Sequence, residues 1–154
     1  MTGWRIGWIA APQWIAAACN KLQGQYTSGP CSVAQKAAEA AYIDDAGFVA
    51  KVREAFTRRK KLVMELVAQI PGLQLSEPQG AFYIFPDASA YLGKSYGDRK
   101  IENSGDLAMY LLEVAHVACV GGGAFGAPTC LRMSYATSDE NLKEAFARIK
   151  DALG

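Results

Sequence analysis

The sequence predicts an α/β fold in which helices pack against a small mixed sheet. Apolar residues recur at every third or fourth position in several segments, and short apolar runs bounded by Gly or Pro separate these segments. A chain of 154 residues is long enough to bury a core. Its formal net charge of +1 provides no broad basic surface, so nucleic acid is not an expected partner.

The first segment, Trp4–Ala10, is rich in aromatic and β-branched residues and therefore predicts a strand. Gly7, Pro12 and Gln13 interrupt the apolar residues at this end, so neither a secretion signal nor a membrane span is expected. A strand this close to the first residue indicates either a start beside an edge strand or a piece of a longer protein.

Pro12 marks the start of the first predicted helix, over residues 12–23, because proline is well tolerated in a first turn. A polar loop over residues 24–30 then precedes a second helix over residues 32–42. The apolar side of the first helix carries Trp14, Ile15, Ala18 and Leu22.

A long third helix is predicted to begin at Asp44 or Asp45 and to end at Pro71–Gly72. Its apolar residues recur at three and four positions throughout this range. At about 1.5 Å per residue the helix would be roughly 37 Å long. It is therefore expected to span its domain or to reach a neighbouring one.

Residues 73–75 and 81–85 predict two paired strands, and residues 87–103 lack periodicity and predict a surface excursion. Ser104 is then expected to cap a helix. The apolar face of that helix consists of Leu107, Ala108, Leu111, Leu112 and Ala115.

Two more strands are predicted over residues 117–120 and 131–135. The residues Thr137–Glu140 form a capping box that opens the final helix. The buried stripe of this helix is expected to contain Leu142, Phe146, Ile149 and Leu153.

The glycine-rich segment Gly121–Gly126 matches the dinucleotide-binding pattern in its letters only. A strand follows it where the pyrophosphate site requires a helix, and no acidic residue stands about 20 positions further on. We interpret it as a flexible turn that lets backbone pack near a site. This segment therefore gives little support to a nicotinamide-dependent oxidoreductase, which stays an alternative function.

Cysteine and histidine usage excludes the common zinc patterns. The four cysteines lie far apart, and His116 is the only histidine and is expected to cap a helix end. No metal site is predicted. Reduced cysteines predict a cytoplasmic protein.

Two arginines are candidates for binding an anion. Arg132 lies between Leu131 and Met133 in a predicted strand, so it should point to the opposite face, alongside Ser134. If enclosed, its planar guanidinium would suit a carboxylate. Arg5, if enclosed, would likewise need an anion, and phosphate is the candidate. For both arginines the alternative is an ordinary salt bridge.

Several motifs follow one another along the chain: MTGWRIGW at residues 1–8, QYTSGP at 25–30, GAFY at 80–83, GG at 121–122 and LRMSYATS at 131–138. In this order and spacing they resemble the class I aminotransferases of fold type I, most closely the bacterial aspartate aminotransferases, and the resemblance extends over nearly the whole chain. The resemblance implies that residues 1–43 are the last strand and helices of the large pyridoxal-phosphate domain. It implies that residues 44–154 are the connecting helix and the C-terminal small α/β domain.

The resemblance also implies roles for individual residues. Arg5 matches the arginine that binds the phosphate of pyridoxal 5'-phosphate, and Ser28 matches a serine that reaches toward the neighbouring subunit's cofactor in a homodimer. Arg132 matches the arginine that binds the substrate α-carboxylate, and Phe82 lies in the strand that lines the substrate side. Gly29 departs from the family, whose members commonly carry Asn there.

The lysine that holds the cofactor covalently lies upstream of Met1 in the family, so no catalytic residue is assigned to this chain. The parent would transfer an amino group from an amino acid, aspartate by overall likeness, to a 2-oxo acid, and the chain alone is expected to be inactive. The alternative is a free-standing, non-catalytic binding or self-association domain. Its candidate surface carries Trp4, Trp8 and Trp14.

Overall fold

The computed structural model describes residues 1–154, apart from the side chain of Thr2. It contains two compact units, Met1–Ala50 and Lys51–Gly154, and the boundary falls inside a helix. Helices and short strands both occur, so the predicted α/β class is confirmed.

The first unit is helical. Helix α1 is Gln13–Tyr26 and helix α2 is Ser32–Ile43. Both predicted helices are therefore confirmed, and α1 runs three residues further than expected. Pro12 directly precedes α1, and its carbonyl accepts hydrogen bonds from the first turn at 2.9 and 3.0 Å.

The strand predicted over Trp4–Ala10 is wrong. Residues Thr2–Trp4 form a single 3-10 turn, Arg5 follows in a left-handed conformation, and residues 6–12 are irregular. A strand needs a neighbouring backbone to satisfy its N–H and C=O groups. Among the residues that the structure describes, every paired strand lies between residues 83 and 134, and none pairs with this segment.

Helix α3 is Phe48–Val67, so it begins later than predicted. The side chains of Asp44 and Asp45 accept hydrogen bonds from Ala46 N–H at 2.8 Å and Gly47 N–H at 2.9 Å. These bonds form local turns that compete with the helix. With 20 residues the helix is about 30 Å long rather than 37 Å.

The second unit contains a three-stranded sheet, β1 (Tyr83–Ile84), β4 (Val120–Gly121) and β5 (Leu131–Ser134), in the order β1-β5-β4. All its pairs are antiparallel, so the expected mixed sheet is not observed. Only residues 122–130 join β4 to β5, which is too short for the crossover that parallel strands require. Residues 73–75 contribute one isolated bridge, Gln74 to Asp87.

The surface excursion predicted for residues 87–103 is structured. It contains a 3-10 turn and a hairpin of β2 (Ser95–Tyr96) and β3 (Arg99–Lys100). Tyr91 and Ile101 are both buried in the core. Two-residue strands are too short to produce a visible alternation, which is why the pattern did not predict them.

Helix α4 is Ser104–Tyr110, and a π-helical turn, Leu111–Ala115, continues it. Its cap is Asn103 rather than Ser104: Asn103 Oδ1 accepts from Gly105 N–H and Asp106 N–H at 2.8 and 3.0 Å. Ser104 is instead buried, and its hydroxyl accepts from Gly122 N–H at 3.1 Å. His116 follows the π-turn as the left-handed C-cap, as predicted.

Helix α5 is Asp139–Leu153, and Ser138 caps it by accepting from Asn141 N–H at 3.1 Å. All four residues of its predicted stripe are buried. They join one cluster with side chains from α3, α4 and the three-stranded sheet, so the core of this unit lies between helices and sheet. Fully buried members of this cluster include Val63, Ile84, Leu107, Leu111, Leu131 and Ile149.

The turn between β4 and β5 depends on a glycine. Gly122–Phe125 form one 3-10 turn, not the long helix of a dinucleotide site. A Cβ atom at Gly122 would lie 2.1 Å from the carbonyl oxygen of Ala127 and 2.7 Å from that of Cys130. Only glycine permits this close backbone approach.

We therefore expect Gly122→Ala to destabilise the protein by about 3 kcal/mol, because the added methyl group overlaps backbone atoms that cannot move independently. Gly123→Ala is the matched control, since no atom lies within 4 Å of a Cβ there, and it should change stability by less than about 0.5 kcal/mol. Urea denaturation followed by circular dichroism measures both. Equal stability of the two variants would contradict the close approach.

Candidate functional site

Arg132 lies at the centre of the candidate site, on the middle strand of the sheet. Leu131 and Met133 are buried in the core, and Arg132 and Ser134 occupy the opposite, more accessible face. The alternation predicted from the sequence is thus confirmed.

Two aromatic rings enclose the guanidinium of Arg132. Its central carbon lies 4.7 Å from the ring centroid of Tyr83 and 4.4 Å from that of Phe125. Both distances are within the range of a cation–π interaction. None of the ion pairs formed by the described residues includes Arg132, so an ordinary salt bridge does not account for it.

Sheet register and the glycine turn supply these two rings. Tyr83 on β1 pairs with Ser134 on β5, which makes Arg132 its diagonal neighbour on the same face. Phe125 ends the 3-10 turn that Gly122 begins. Neither ring could be assigned to Arg132 from the sequence: the GAFY motif includes Tyr83, but nothing in the sequence pairs Tyr83 or Phe125 with an arginine.

Phe82 lies beside this cluster and is half-buried. Its ring centroid is 4.4 Å from that of Tyr83. Tyr135 holds the local backbone twice, because its N–H donates to Phe82 O and its hydroxyl donates to Ala81 O, both at 2.9 Å. Ala81 has a φ of 59°, a conformation that these bonds stabilise. Arg132 and Phe82 therefore both lie against the ring of Tyr83.

Arg5 and Ser28 belong to the first unit, and both are exposed. Their backbones adopt left-handed conformations, with φ of 55° and 64°. For residues other than glycine such conformations cost free energy, and they are found preferentially at functional sites. The other non-glycine residues with positive φ among those described are Ala46, Ala81 and His116.

Asp87 lies between the segments that follow β1 and precede β5, and it forms backbone bridges with Gln74 and Cys130. Its carboxylate accepts hydrogen bonds from Ser89 N–H at 2.9 Å and from the hydroxyls of Ser89 and Thr129, each at 2.5 Å. These hydrogen bonds lower the pKa of Asp87, and the bond from the Ser89 hydroxyl contributes most to this lowering. Asp87 thereby ties the segment after β1 to the residues that lead into β5.

Metal ligands, membrane-spanning helices and disulfides are further features that could indicate a function. Among the described residues, no three His, Cys, Asp or Glu side chains lie together as metal ligands would. None of the helices that the structure describes combines the length and the apolar character needed to cross a bilayer. All four cysteines are unpaired.

Comparison with known proteins identifies the family. The sequence profile described as aminotransferase class I and II matches residues 1–149. The chain belongs to this family. A bifunctional aspartate aminotransferase and glutamate/aspartate-prephenate aminotransferase of Petunia hybrida is 48% identical, over 99% of this chain and 33% of its own length. An aspartate aminotransferase of Streptomyces avermitilis is 44% identical, over 99% of this chain and 38% of its own.

Solved structures of aminotransferases share the fold. The aspartate aminotransferase of Rhizobium meliloti superposes with a TM-score of 0.84 at 42% identity, covering 99% of this chain and 38% of its own. The aspartate aminotransferase of Thermus thermophilus, solved with maleate, has a TM-score of 0.82 at 36% identity with the same coverage of both chains. This chain therefore spans between a third and two fifths of the length of these relatives.

The cysteines of this chain differ in their environments. Cys31 is exposed and caps α2, and the backbone N–H groups of Ala34 and Val33 lower the pKa of its thiol. Burial raises the pKa of the Cys119 thiol to about 11. A lower pKa means more of the reactive thiolate at neutral pH.

We expect iodoacetamide at pH 7.5 to alkylate Cys31 at least about 100-fold faster than Cys119, because the thiolate fraction of Cys119 is far smaller. Peptide mass mapping of timed samples measures both rates. Cys119 should react like the others once urea unfolds the chain. Equal alkylation rates of Cys31 and Cys119 in the folded protein would contradict the difference between their thiol pKa values.

Proposed function

We propose that this chain is the C-terminal part of an aminotransferase that transfers an amino group from aspartate to a 2-oxo acid and uses pyridoxal 5'-phosphate. The observation that carries the proposal is Arg132, a cation placed between two rings with no acidic partner among the described residues. Relatives named aspartate aminotransferases support aspartate as the donor. Maleate, a dicarboxylate, accompanies one of the solved relatives.

Arg132 would bind the α-carboxylate of the substrate. Its guanidinium offers parallel N–H donors that match the two oxygens of a carboxylate, which fixes both position and orientation. The rings of Tyr83 and Phe125 lie beside the guanidinium and reduce its contact with water, so the charge is less screened than on an open surface. Phe82, beside Tyr83, would line the substrate side of the site.

Arg5 and Ser28 fit the phosphate end of the cofactor. One carries a permanent positive charge and the other a hydroxyl donor, and both are exposed with strained backbones. Arg5 would bind the phosphate, and Ser28 would reach the cofactor of the neighbouring subunit in a homodimer. When bound, pyridoxal phosphate supplies the carbonyl group that accepts and returns the amino group.

We also propose a cytoplasmic location, which cell fractionation tests.

The 154-residue polypeptide should not catalyse transamination by itself. The resemblance places the cofactor-binding lysine before Met1, and Arg132 can orient a substrate but cannot replace that nucleophile. The purified chain, given aspartate, 2-oxoglutarate and pyridoxal phosphate, is expected to form no glutamate in a coupled assay. Turnover by this polypeptide would contradict the proposal.

A longer protein that joins this chain to the rest of the length found in its relatives should catalyse transamination. There, Arg132→Lys is expected to lower kcat/KM for aspartate about 100-fold, because a lysine cannot form the paired hydrogen bonds. Arg148→Lys is the control, since Arg148 pairs with Glu144 on the surface of α5, and it should retain full activity. Equal effects of the two substitutions would remove Arg132 from the site.

A second candidate function is self-association, and the exposed tryptophans of the first unit favour it. Trp4, Trp8 and Trp14 are 56%, 71% and 74% exposed. Apolar surface of this kind is usually covered by another protein surface. The helix α1 buries none of its residues, so its apolar side is open too.

We therefore expect the isolated chain to self-associate and Trp14→Gln to weaken this association about tenfold, since the side chain contributes apolar area without being needed inside the unit. Leu112→Gln is the control, because Leu112 is an exposed apolar residue of the other unit. Sedimentation velocity over a range of concentrations measures both. A monomer at high concentration would exclude self-association.

A further inference from the structure

The rings of Tyr83 and Phe125 lie beside the guanidinium of Arg132. We propose that Phe125 is a positioning residue for Arg132: together with Tyr83 it holds the guanidinium plane so that the N–H edge stays available to a carboxylate. This inference rests on the proposed function. It assigns a contribution to the turn between β4 and β5, which has no other part in the site.

An arginine side chain has several rotatable bonds, and ordering it at the moment of binding costs free energy. Something must therefore fix its direction before the substrate arrives. Two rings whose centroids lie 4.7 and 4.4 Å from the guanidinium carbon restrict the positions that the group can take. Stacked rings contact the faces of a guanidinium, whereas its N–H donors point outward along the edge.

Aromatic rings suit this task better than an acidic residue does. A carboxylate held beside Arg132 would occupy the same N–H donors that the substrate needs, and the substrate would have to displace it. A ring attracts the cation electrostatically without accepting those hydrogen bonds. The described residues place rings at Arg132 and form no ion pair with it.

The backbone holds Phe125 firmly, although its side chain is 47% exposed. Gly122 N–H donates to Cys130 O at 2.7 Å, and Ala127 N–H donates to Gly122 O at 3.1 Å, which closes the turn on both sides. The ring also meets that of Phe85 edge-on, with centroids 6.1 Å apart. Phe125 is therefore fixed by the turn rather than by burial in the core.

Kinetics of the active, longer protein test the inference. Phe125→Leu should raise the KM for aspartate about two- to fivefold with kcat unchanged, the effect of losing one cation–π contact that acts on binding alone. Phe125→Tyr keeps an aromatic face and should restore the KM. An unchanged KM in Phe125→Leu, or a tyrosine variant no better than the leucine variant, would overturn the proposal.

Phe85→Leu is the matched control. It removes a ring that packs against Phe125 and is not one of the two rings over Arg132. Its KM should rise less than that of Phe125→Leu, because both rings beside the guanidinium remain. A KM raised as much as in Phe125→Leu would show that local packing, not contact with the cation, is responsible, and would overturn the proposal.

A second measurement does not depend on activity. In the NMR spectrum of the 154-residue chain, the Arg132 side-chain Nε–H signal should carry a ring-current shift that Phe125→Leu removes and Phe125→Tyr retains. A signal that does not respond to Phe125→Leu would overturn the inference. Absence of transamination by the longer protein would instead overturn the proposed function, and the spectrum would then decide the role of Phe125 by itself.

Discussion

Pairing of β5 on both of its sides is the constraint on which the candidate site depends. Because β1 and β4 both bond to β5, Leu131 and Met133 must face the core and Arg132 must face the other way. The same register that satisfies the backbone also places Tyr83 diagonally from Arg132. A shift by one residue would exchange the faces, burying the cation and exposing the core residues. Core packing thereby secures the position of the anion-binding group.

Close backbone packing complements the strand pairing. Gly122 brings the carbonyls of Ala127 and Cys130 nearer than any side chain would allow, and the resulting turn places the ring of Phe125 beside the guanidinium of Arg132. Asp87 stabilises the adjoining segments through the hydroxyls of Ser89 and Thr129. The rigid parts of the site are thus strand and turn backbone, and only the arginine edge is left for a ligand. Such pre-organisation reduces the ordering cost of binding.

The accuracy of the sequence-based predictions varied with the range of the interactions that stabilise each element. Helix α5 was predicted with all four stripe residues, because its apolar positions repeat over fifteen residues, but its cap is Ser138 and not Thr137, the first residue of the predicted capping box. The prediction of a strand at Trp4–Ala10 was wrong, because a strand forms only where a neighbouring strand pairs with it, and local propensity does not show whether such a partner exists. Asn103 displaced Ser104 as the cap of α4 because two adjacent residues can both cap, and Ser104 found a buried donor at Gly122 instead.

The sequence by itself determined the family resemblance, the main helices and the alternation that turns Arg132 away from the core. These features follow from local periodicity and from motifs that can be compared one residue at a time. Only the tertiary structure decided that Tyr83 and Phe125 enclose Arg132, residues that lie 49 and 7 positions from it in the printed chain. Strand register brings Tyr83 to Arg132 through a pairing of segments about 50 residues apart, and the close backbone approach at Gly122 shapes the turn that carries Phe125. Neither the register nor the path of that turn is encoded by a local apolar pattern.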